Sequence, residues 1–369
     1  MPSINSQLYI GVLSGTSMDA VDAALVDFSN NSCKLIDSLN YSIPKYLKKK
    51  LTALVSQDAN KNSLQTFCEL DQKYGHLFAD AVNALLLKNK INSNEIIAIG
   101  SHGQTIYHNP KKLFTLQIGD PNIICAKTNI PTIADFRRKD TANNGQGAPL
   151  TPAFHKYFFG NNKNRVIVNI GGIANITILS KTIRGFDTGP GNALLDAWIK
   201  KNKNLELDSN GAWAKSGNVN FAFLSLLLKD PYFKLKPPKS TGKELFNLPY
   251  LENKIKIFKN KMRAEDVQAT LTELTAQSIV NAVDIDIDKE CEIIICGGGA
   301  YNKYLLARIT ALAKKHKVFI ANDFGIDANW IEAVAFAWFA KQAMNKKQTD
   351  LEGATMAGKP STLGGIYYP

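Results

Sequence analysis

Short apolar runs separated by clusters of small and polar residues mark the first part of the chain. Residues Leu8 to Leu13 predict a strand, Ser14 to Ser17 a turn, and Val21 to Phe28 a returning strand. Apolar residues at helical spacing from Leu64 to Lys88 predict a long amphipathic helix, and a strand follows over residues 96–103. This alternation of helices and strands is typical of an α/β sheet.

The same opening pattern recurs after residue 164. Residues 165–179 again combine an apolar strand, a Gly-rich turn and a second apolar strand. Helices are predicted over 193–201, 221–229 and 267–283, a strand and a helix over 292–315, and a last helix from Trp330 to Met344. Residues 230–247 lack periodicity, are rich in Pro and Lys, and predict a surface loop. Two halves with one pattern predict two lobes.

Composition narrows the class of protein. A chain of 369 residues that is 45% hydrophobic can bury a large core and favours two domains. No apolar run approaches the roughly 20 residues of a membrane span, and no leader pattern is seen, so we expect a cytoplasmic protein without a membrane partner. Five scattered cysteines indicate neither a disulfide framework nor a zinc site.

The net charge of +12 raises the question of a nucleic-acid partner. The lysines are spread singly or in short groups, and no basic motif is interleaved with aromatic residues. We therefore expect no nucleic-acid partner, and interpret the basic surface as compatible with an anionic small substrate.

Three Gly-rich turns each follow an apolar strand, at residues 14–17, 171–175 and 297–302. Glycine allows positive φ angles and lets backbone N–H groups approach an anion. One such turn is usually structural only, but three in one chain favour phosphate binding. The P-loop and dinucleotide-binding glycine motifs are both missing from the sequence.

The string GFDTGPGNALLDAW, residues 185–198, carries the candidate base. Asp187 is predicted at the end of a strand, Gly189 to Gly191 form a turn, and Asn192 opens a helix that bears Asp196. An aspartate at such a junction is often an N-cap. Because Asn192 fills that position, Asp187 is free to act as a general base.

Further polar clusters follow apolar stretches at residues 100–110, 117–122, 134–140 and 143–155. Ligands bind at the ends of strands in open α/β sheets. His102 fits a hydrogen-bonded structural histidine as well as a substrate contact, and both interpretations stay open. Arg137 and Arg138 could bind a carboxylate with two hydrogen bonds.

Many strings of this chain occur in the same order in one known family. The chain resembles the anhydro-N-acetylmuramic acid kinases, which belong to the superfamily of sugar kinases, heat-shock chaperone ATPases and actin. Ala20, where glycine is usual, and Asn143-Asn144, where small residues are usual, depart from the pattern. The strings that carry the resemblance are GVLSGTSMDAVDAAL, GSHGQT, QIGDP, ADFRRKD, GQGAPLTPAFH, NIGGIANIT, FDTGPGN, PPKSTGKE, TLTELTA, CGGGAYN and EAVAFAW.

The resemblance implies a fold and an activity. The fold is a two-lobed actin-like (ribonuclease H-like) α/β ATPase fold with a central cleft; residues 1–130 and 345–369 are expected in the N-terminal lobe and residues 131–344 in the C-terminal lobe. The activity is an ATP- and Mg²⁺-dependent opening of the 1,6-anhydro ring of anhydro-N-acetylmuramic acid by water with phosphorylation of O6. A homodimer is also implied.

The resemblance further assigns roles to residues of this chain. Asp187 is the base and Glu332 assists it, while Asp19 is the metal ligand. The nucleotide contacts are Gly15, Thr16, Ser17, Met18, Asp19, Ala20, Val21, Asp22, Gly171, Gly172, Asn175, Gly297, Gly298 and Gly299. The sugar contacts are Ser14, His102, Gln104, Asp135, Arg137, Gln146, Gly189 and Asn192.

Two rival functions share this fold. In an ordinary sugar or polyol kinase, Asp187 would deprotonate a substrate hydroxyl instead of water. In an actin-like or chaperone-like ATPase, hydrolysis would drive domain closure and no metabolite would be phosphorylated. The sequence has no separate peptide-binding region, and its polar motifs crowd the predicted cleft, which argues against the second rival.

Overall fold

The computed structural model describes residues 6–15, 18–55, 64–160, 164–180, 183–237 and 239–369. The chain divides into two compact units, the first made of Met1–Phe158 and Trp330–Pro369 and the second of Phe159–Asn329. Each unit contains one β-sheet. The prediction of a two-lobed α/β protein is confirmed.

Twelve strands lie within the described residues. They are β1 (Leu8–Ser14), β2 (Ala20–Asp27), β3 (Lys34–Ser42), β4 (Ile96–Asn109), β5 (Phe114–Ile118), β6 (Thr132–Ala134), β7 (Arg165–Ile170), β8 (Ile173–Leu179), β9 (Arg184–Pro190), β10 (Glu292–Cys296), β11 (Lys317–Ile320) and β12 (Gly365–Tyr367). Both predicted strand-turn-strand patterns are therefore confirmed, as β1–β2 and as β7–β8.

Fourteen α-helices lie within the same described ranges. They are α1 (Lys45–Val55), α2 (Leu64–Asn89), α3 (Pro121–Thr128), α4 (Phe136–Thr141), α5 (Thr151–Phe159), α6 (Ala193–Lys203), α7 (Ala212–Ser216), α8 (Phe221–Leu228), α9 (Pro231–Lys234), α10 (Leu248–Phe258), α11 (Ala264–Asp286), α12 (Lys303–Leu312), α13 (Ile331–Met344) and α14 (Glu352–Thr355). Across the described part of the chain, none of these helices has the length and apolar character needed to cross a membrane.

The sheet of the first unit has the order β12-β6-β4-β1-β2-β3, with β5 paired to β4. β1 is antiparallel to β2 and parallel to β4. Every residue of β1 is buried, because α2 joins the apolar core of this unit and α13 lies against β1 and β4. Fully buried central strands of this kind carry near-continuous apolar runs.

Two glycines let α13 approach the sheet closely. A Cβ atom on Gly11 would lie 1.8 Å from the carbonyl oxygen of Ala333, and one on Gly100 would lie 2.0 Å from that of Phe336. No side chain fits at such distances, so glycine is required on both strands. The close contact fixes the start of α13, where Glu332 lies.

The unit boundaries differ from the expected ones at residues 130 and 345. β6 is parallel to β4 and pairs with β12, and α13 packs on β1, so residues 131–158 and 330–344 belong to the first unit. Pairing between strands that are distant in sequence decides these boundaries. Local composition does not predict such pairing.

The sheet of the second unit has the order β11-β10-β7-β8-β9. β7, β8 and β9 form an antiparallel meander, while β10 is parallel to both β7 and β11. The long helix α11 packs against β8 and β9 and is buried over most of its length.

The prediction of a surface loop over residues 230–247 was wrong for its aromatic residues. Tyr232 is 5% exposed and Phe246 is fully buried. Both rings contact Phe233, and Phe246 also contacts Tyr250. Burial of these rings stabilises the segment against the second unit, although its Pro and Lys content is typical of exposed loops.

Candidate active site

The first Gly-rich turn joins β1 to β2. Thr16 and Ser17, two predicted nucleotide contacts, lie outside the described residues. Gly15 has open space where a Cβ would stand, with no atom within 4 Å. Met18 adopts a left-handed φ of 56° and its N–H donates to the Gly15 carbonyl at 3.1 Å. The turn is therefore tight and leaves room at Gly15 for an anion to approach.

Two carboxylates follow this turn, with Ala20 and Val21 at the start of β2 between them. Asp19 is exposed and pairs with Lys48. Asp22 is on β2, and burial raises its pKa although the Asn40 amide donates to its Oδ1 at 2.7 Å. Within the described ranges, no three His, Cys, Asp or Glu side chains form a metal-binding group.

The last residue of β1 and a residue in the middle of β4 carry two buried polar side chains. Ser14 and Gln104 are paired in the β1–β4 register and are 3% and 2% exposed. The Ser14 Oγ and the Gln104 Oε1 have no hydrogen-bond partner among the residues that the structure describes. Unsatisfied buried polar atoms are costly in a folded protein and favour a ligand that pairs with them.

His102 of β4 and Arg137 of α4 form a hydrogen-bonded pair. The His102 Nδ1 lies 2.9 Å from the Gly103 carbonyl, which can only accept, so Nδ1 carries the hydrogen. The His102 Nε2 then accepts from the Arg137 Nε at 2.8 Å. Burial lowers the pKa of His102, the positive charge of Arg137 also lowers it, and the resulting pKa is about 3. His102 is thus a neutral acceptor that orients Arg137.

Arg137 is also linked to Gly147 and Glu332. Its guanidinium donates to the Gly147 carbonyl at 2.8 Å. Glu332 is the second residue of α13. Desolvation by the surrounding protein raises the pKa of Glu332, and the negative charge of Asp22 raises it further. The positive charge of Arg137 lowers the same pKa. The predicted residues His102, Arg137 and Glu332 therefore interact within the first unit.

Two other predicted sugar contacts are held by different partners. Asp135 accepts from Arg138 at 3.2 Å and from the Tyr367 hydroxyl at 3.0 Å. It lines a polar cavity of about 190 Å³ together with His102. The Gln146 N–H donates to the Thr355 carbonyl at 2.7 Å. Asp135 is thus close to the His102 pair, whereas Gln146 is bonded to the segment that contains α14.

The second Gly-rich turn joins β7 to β8 and anchors the start of α6. The N–H groups of Gly191 and Ala193 donate to the Gly172 carbonyl, and that of Asn192 donates to the Gly171 carbonyl. The expected N-cap bond of Asn192 is not formed; its side chain donates to the Ile170 carbonyl at 3.4 Å. Asn192 therefore holds the turn against the helix instead of capping it.

Asp187 lies within β9, not at its end as predicted, because the strand continues to Pro190. It pairs in register with Asn175 of β8, and Gly189 follows it on the same strand. A Cβ on Gly189 would lie 2.8 Å from the Phe233 ring. β9 is the edge strand of its sheet, so β8 holds the backbone of Asp187 on one side, and the Asp187 N–H donates to the Lys239 carbonyl.

The side chain of Asp187 is positioned by the segment that was predicted to be a surface loop. The Thr241 N–H donates to the Asp187 Oδ2 at 2.9 Å, and the Tyr232 hydroxyl donates to its carbonyl at 2.7 Å. Burial raises the pKa of Asp187 to about 6; Glu244 adds to the rise, while the Thr241 bond and Lys239 oppose it. A carboxylate with such a pKa suits a general base near neutral pH.

Thr241, Tyr232 and Lys239 were missed as functional residues by sequence reasoning. Thr241 and Lys239 lie in the string PPKSTGKE, which was among those that carry the family resemblance, whereas Tyr232 lies before it. That recurrence was the available signal, but the Pro and Lys content of the string favoured a loop.

The third Gly-rich turn follows β10. Gly297 has a φ of 77° and its N–H donates to the Ala328 carbonyl at 2.9 Å. A Cβ on Gly299 would lie 2.3 Å from the Ile170 side chain, whereas Gly298 has no atom within 4 Å. Two of these glycines are needed for packing, and Gly298 is the one whose surface is open.

Glycine-rich turns at three strand ends and a carboxylate of raised pKa suit an α/β enzyme that transfers a phosphoryl group. The chain belongs to the anhydro-N-acetylmuramic acid kinase family, whose profile matches residues 7–369. It is 48% identical over 370 residues to the anhydro-N-acetylmuramic acid kinase of Shewanella oneidensis, with 99% of each chain covered. It is 49% identical over 367 residues to that of Coxiella burnetii, covering 98% of this chain and 97% of the relative.

Proposed function

We propose that this protein uses ATP and water to convert 1,6-anhydro-N-acetylmuramic acid into N-acetylmuramic acid 6-phosphate and ADP. Membership of the family supports the reaction. The observation that carries the proposal is the Asp187 carboxylate, which Thr241 orients and whose pKa burial raises to about 6. At neutral pH such a group is ionised and still basic enough to take a proton from water.

The proposed reaction needs only one base, Asp187, for all of its bond changes. Asp187 accepts a proton from water as the water oxygen bonds to C1 of the sugar. The C1–O6 bond breaks and its electron pair stays on O6, which attacks the γ-phosphorus of ATP. The bond between that phosphorus and the β,γ-bridging oxygen breaks, and ADP leaves. The proton on Asp187 passes to solvent.

Other residues are proposed to bind the two substrates. The free hydrogen-bonding atoms of Ser14 and Gln104 suit sugar hydroxyl groups. Arg137, oriented by His102, suits the lactyl carboxylate, because its guanidinium can offer a charged donor. The open space at Gly15 and Gly298 suits close approach of the nucleotide, as a Cβ at either position would fill it.

Mg²⁺ would be held by Asp19 and by the phosphates. The lack of a three-ligand cluster in the described residues is compatible with Mg²⁺, which keeps several waters and needs only one or two protein carboxylates. When bound, Mg²⁺ neutralises charge on the phosphates. We also propose a homodimer, as the family resemblance implies, and a cytoplasmic location. Size-exclusion chromatography tests the dimer.

The decisive experiment follows oxygen from labelled water. With ATP, Mg²⁺ and the anhydro sugar in ¹⁸O-water, mass spectrometry should find the label at the anomeric hydroxyl and none in the phosphate ester. The product is analysed before anomeric exchange. An ordinary sugar kinase would give no anomeric label, and an ATPase would release phosphate without a phosphorylated sugar.

Asp187→Asn tests the base. It keeps the side-chain shape but cannot accept the proton, so turnover should fall at least about a hundredfold while both substrates still bind. Asp288→Asn, at an exposed aspartate of the same unit, is the matched control. Asp187→Asn turnover equal to that of the control would refute the assigned role.

A further inference from the structure

Lys243 lies against the second Gly-rich turn. A Cβ atom on Gly172 would meet the Lys243 Cε at 2.7 Å and its Nζ at 3.5 Å. The lysine side chain thus occupies the space that any other residue at position 172 would need. Close approach of an ammonium group to a bare glycine brings positive charge to the surface of the turn.

No carboxylate among the described residues neutralises the charge of Lys243 by direct contact. The side chain is exposed, and within the described parts of the chain it forms no ion pair. Asp196, on the first turn of α6, interacts with it at longer range: burial raises the pKa of Asp196 to about 6, and the Lys243 charge opposes that rise. Asp196 therefore attracts the ammonium group toward the start of α6 without neutralising it at contact distance.

The same short segment contacts the candidate base. The Lys239 carbonyl accepts from the Asp187 N–H at 3.1 Å, and the Thr241 N–H binds its carboxylate. The buried Thr241 hydroxyl has no partner among the described residues. Residues 239–243 therefore connect Asp187 at one end with the turn at Gly172 at the other.

We propose that Lys243 binds the phosphate groups of the nucleotide at the Gly171–Gly172 turn. This inference rests on the proposed function, and it adds to the turn a side chain that the sequence did not single out. Transfer of a phosphoryl group depends on cations placed against its oxygens. A lysine ammonium is a compact point charge suited to phosphate.

Lys243→Met tests the role, because it removes the charge and keeps most of the side-chain length. Calorimetry on the full-length protein should show ATP affinity reduced about tenfold to a hundredfold, the usual effect of losing one charged hydrogen bond. Adenosine affinity should be unchanged, since adenosine has no phosphate. Lys243→Arg should retain most of the ATP affinity. Lys256→Met, at an exposed lysine of the same unit, should match the wild type.

Three results would overturn the proposal. One is equal ATP affinity in Lys243→Met and the wild type. Another is a parallel loss of ATP and adenosine affinity with a lower urea midpoint, which would indicate a structural role. The third is a wild-type protein that binds no ATP, which would also refute the proposed function. If the wild type binds ATP but does not phosphorylate the anhydro sugar, only the proposed reaction fails, and the Lys243 comparison still decides this inference.

Discussion

Asp187→Asn should stabilise the folded protein while it removes activity. The pKa of Asp187 is about 6 in the folded state against a usual value of 3.8. Above pH 6 the folded state must therefore ionise a carboxyl that holds its proton more tightly than the unfolded chain does. Ionisation of Asp187 lowers the free energy of unfolding in that range, and asparagine has no charge to bury.

The magnitude follows from the pKa difference. The pKa of Asp187 differs by about two units between the folded and unfolded states, and each unit is worth about 1.36 kcal/mol. Ionisation of Asp187 therefore lowers the free energy of unfolding by up to about 3 kcal/mol at pH 8. The cost is smaller at lower pH because the folded-state carboxyl becomes protonated: it falls to about half at pH 5 and vanishes below the unfolded pKa. Asparagine can still accept the Thr241 N–H, so this contact is retained.

Urea denaturation at pH 8 and pH 5 measures the effect. Trp198 and Trp213 are in the second unit and report its unfolding by fluorescence. Asp230→Asn is a control of opposite sign: burial alone would raise the pKa of Asp230, but the hydrogen bond from Lys254 holds it below its usual value. Asp230→Asn should therefore lose stability at pH 8.

The result at pH 8 decides the reasoning. If Asp187→Asn is no more stable than the wild type at pH 8, the carboxylate is not desolvated as the structure indicates. If the gain is present but does not shrink between pH 8 and pH 5, it has a cause other than ionisation. Enzymes commonly lose folding stability at residues that activity requires, such as a buried active-site charge.

Two further predictions concern the first unit. Gly100→Ala should lower the free energy of unfolding by about 3 kcal/mol, because its Cβ would lie 2.0 Å from the Phe336 carbonyl oxygen. The control in urea denaturation is Gly365→Ala, whose Cβ would have no neighbour closer than 3.9 Å. Equal urea midpoints of the two variants would contradict the close packing. The His102 ring should not titrate between pH 8 and pH 5 in NMR spectra, because burial beside Arg137 lowers its pKa to about 3; a midpoint near 6.5 would refute the neutral pairing.

Local patterns predicted the elements well. The strand-turn-strand patterns near Gly15 and Gly171, and the helices α2, α6, α8, α11 and α13, follow from apolar periodicity within each segment. The positions of the three Gly-rich turns were predicted for the same reason. Unit boundaries were not, since the pairing of β6 with β4 joins segments about thirty residues apart and leaves no local mark.

The candidate site divides in the same way. The residue types that a phosphoryl-transferring site needs are visible along the chain, but the partner of each is not. Tyr232 and Thr241 reach Asp187 across 45 and 54 residues, and Arg137 reaches His102 across 35. An N-cap assigned to Asn192 from its position proved to be a bond to Ile170 instead.

The sequence by itself determined the family, through many ordered strings, together with the secondary-structure elements and the glycine turns. Only the tertiary structure decided the chemical state of the site. The raised pKa of Asp187 and the neutral form of His102 depend on desolvation and on neighbours that folding brings from distant segments. Such shifts are properties of a three-dimensional environment, because the free energy of a charge depends on the atoms around it and not on its neighbours along the chain.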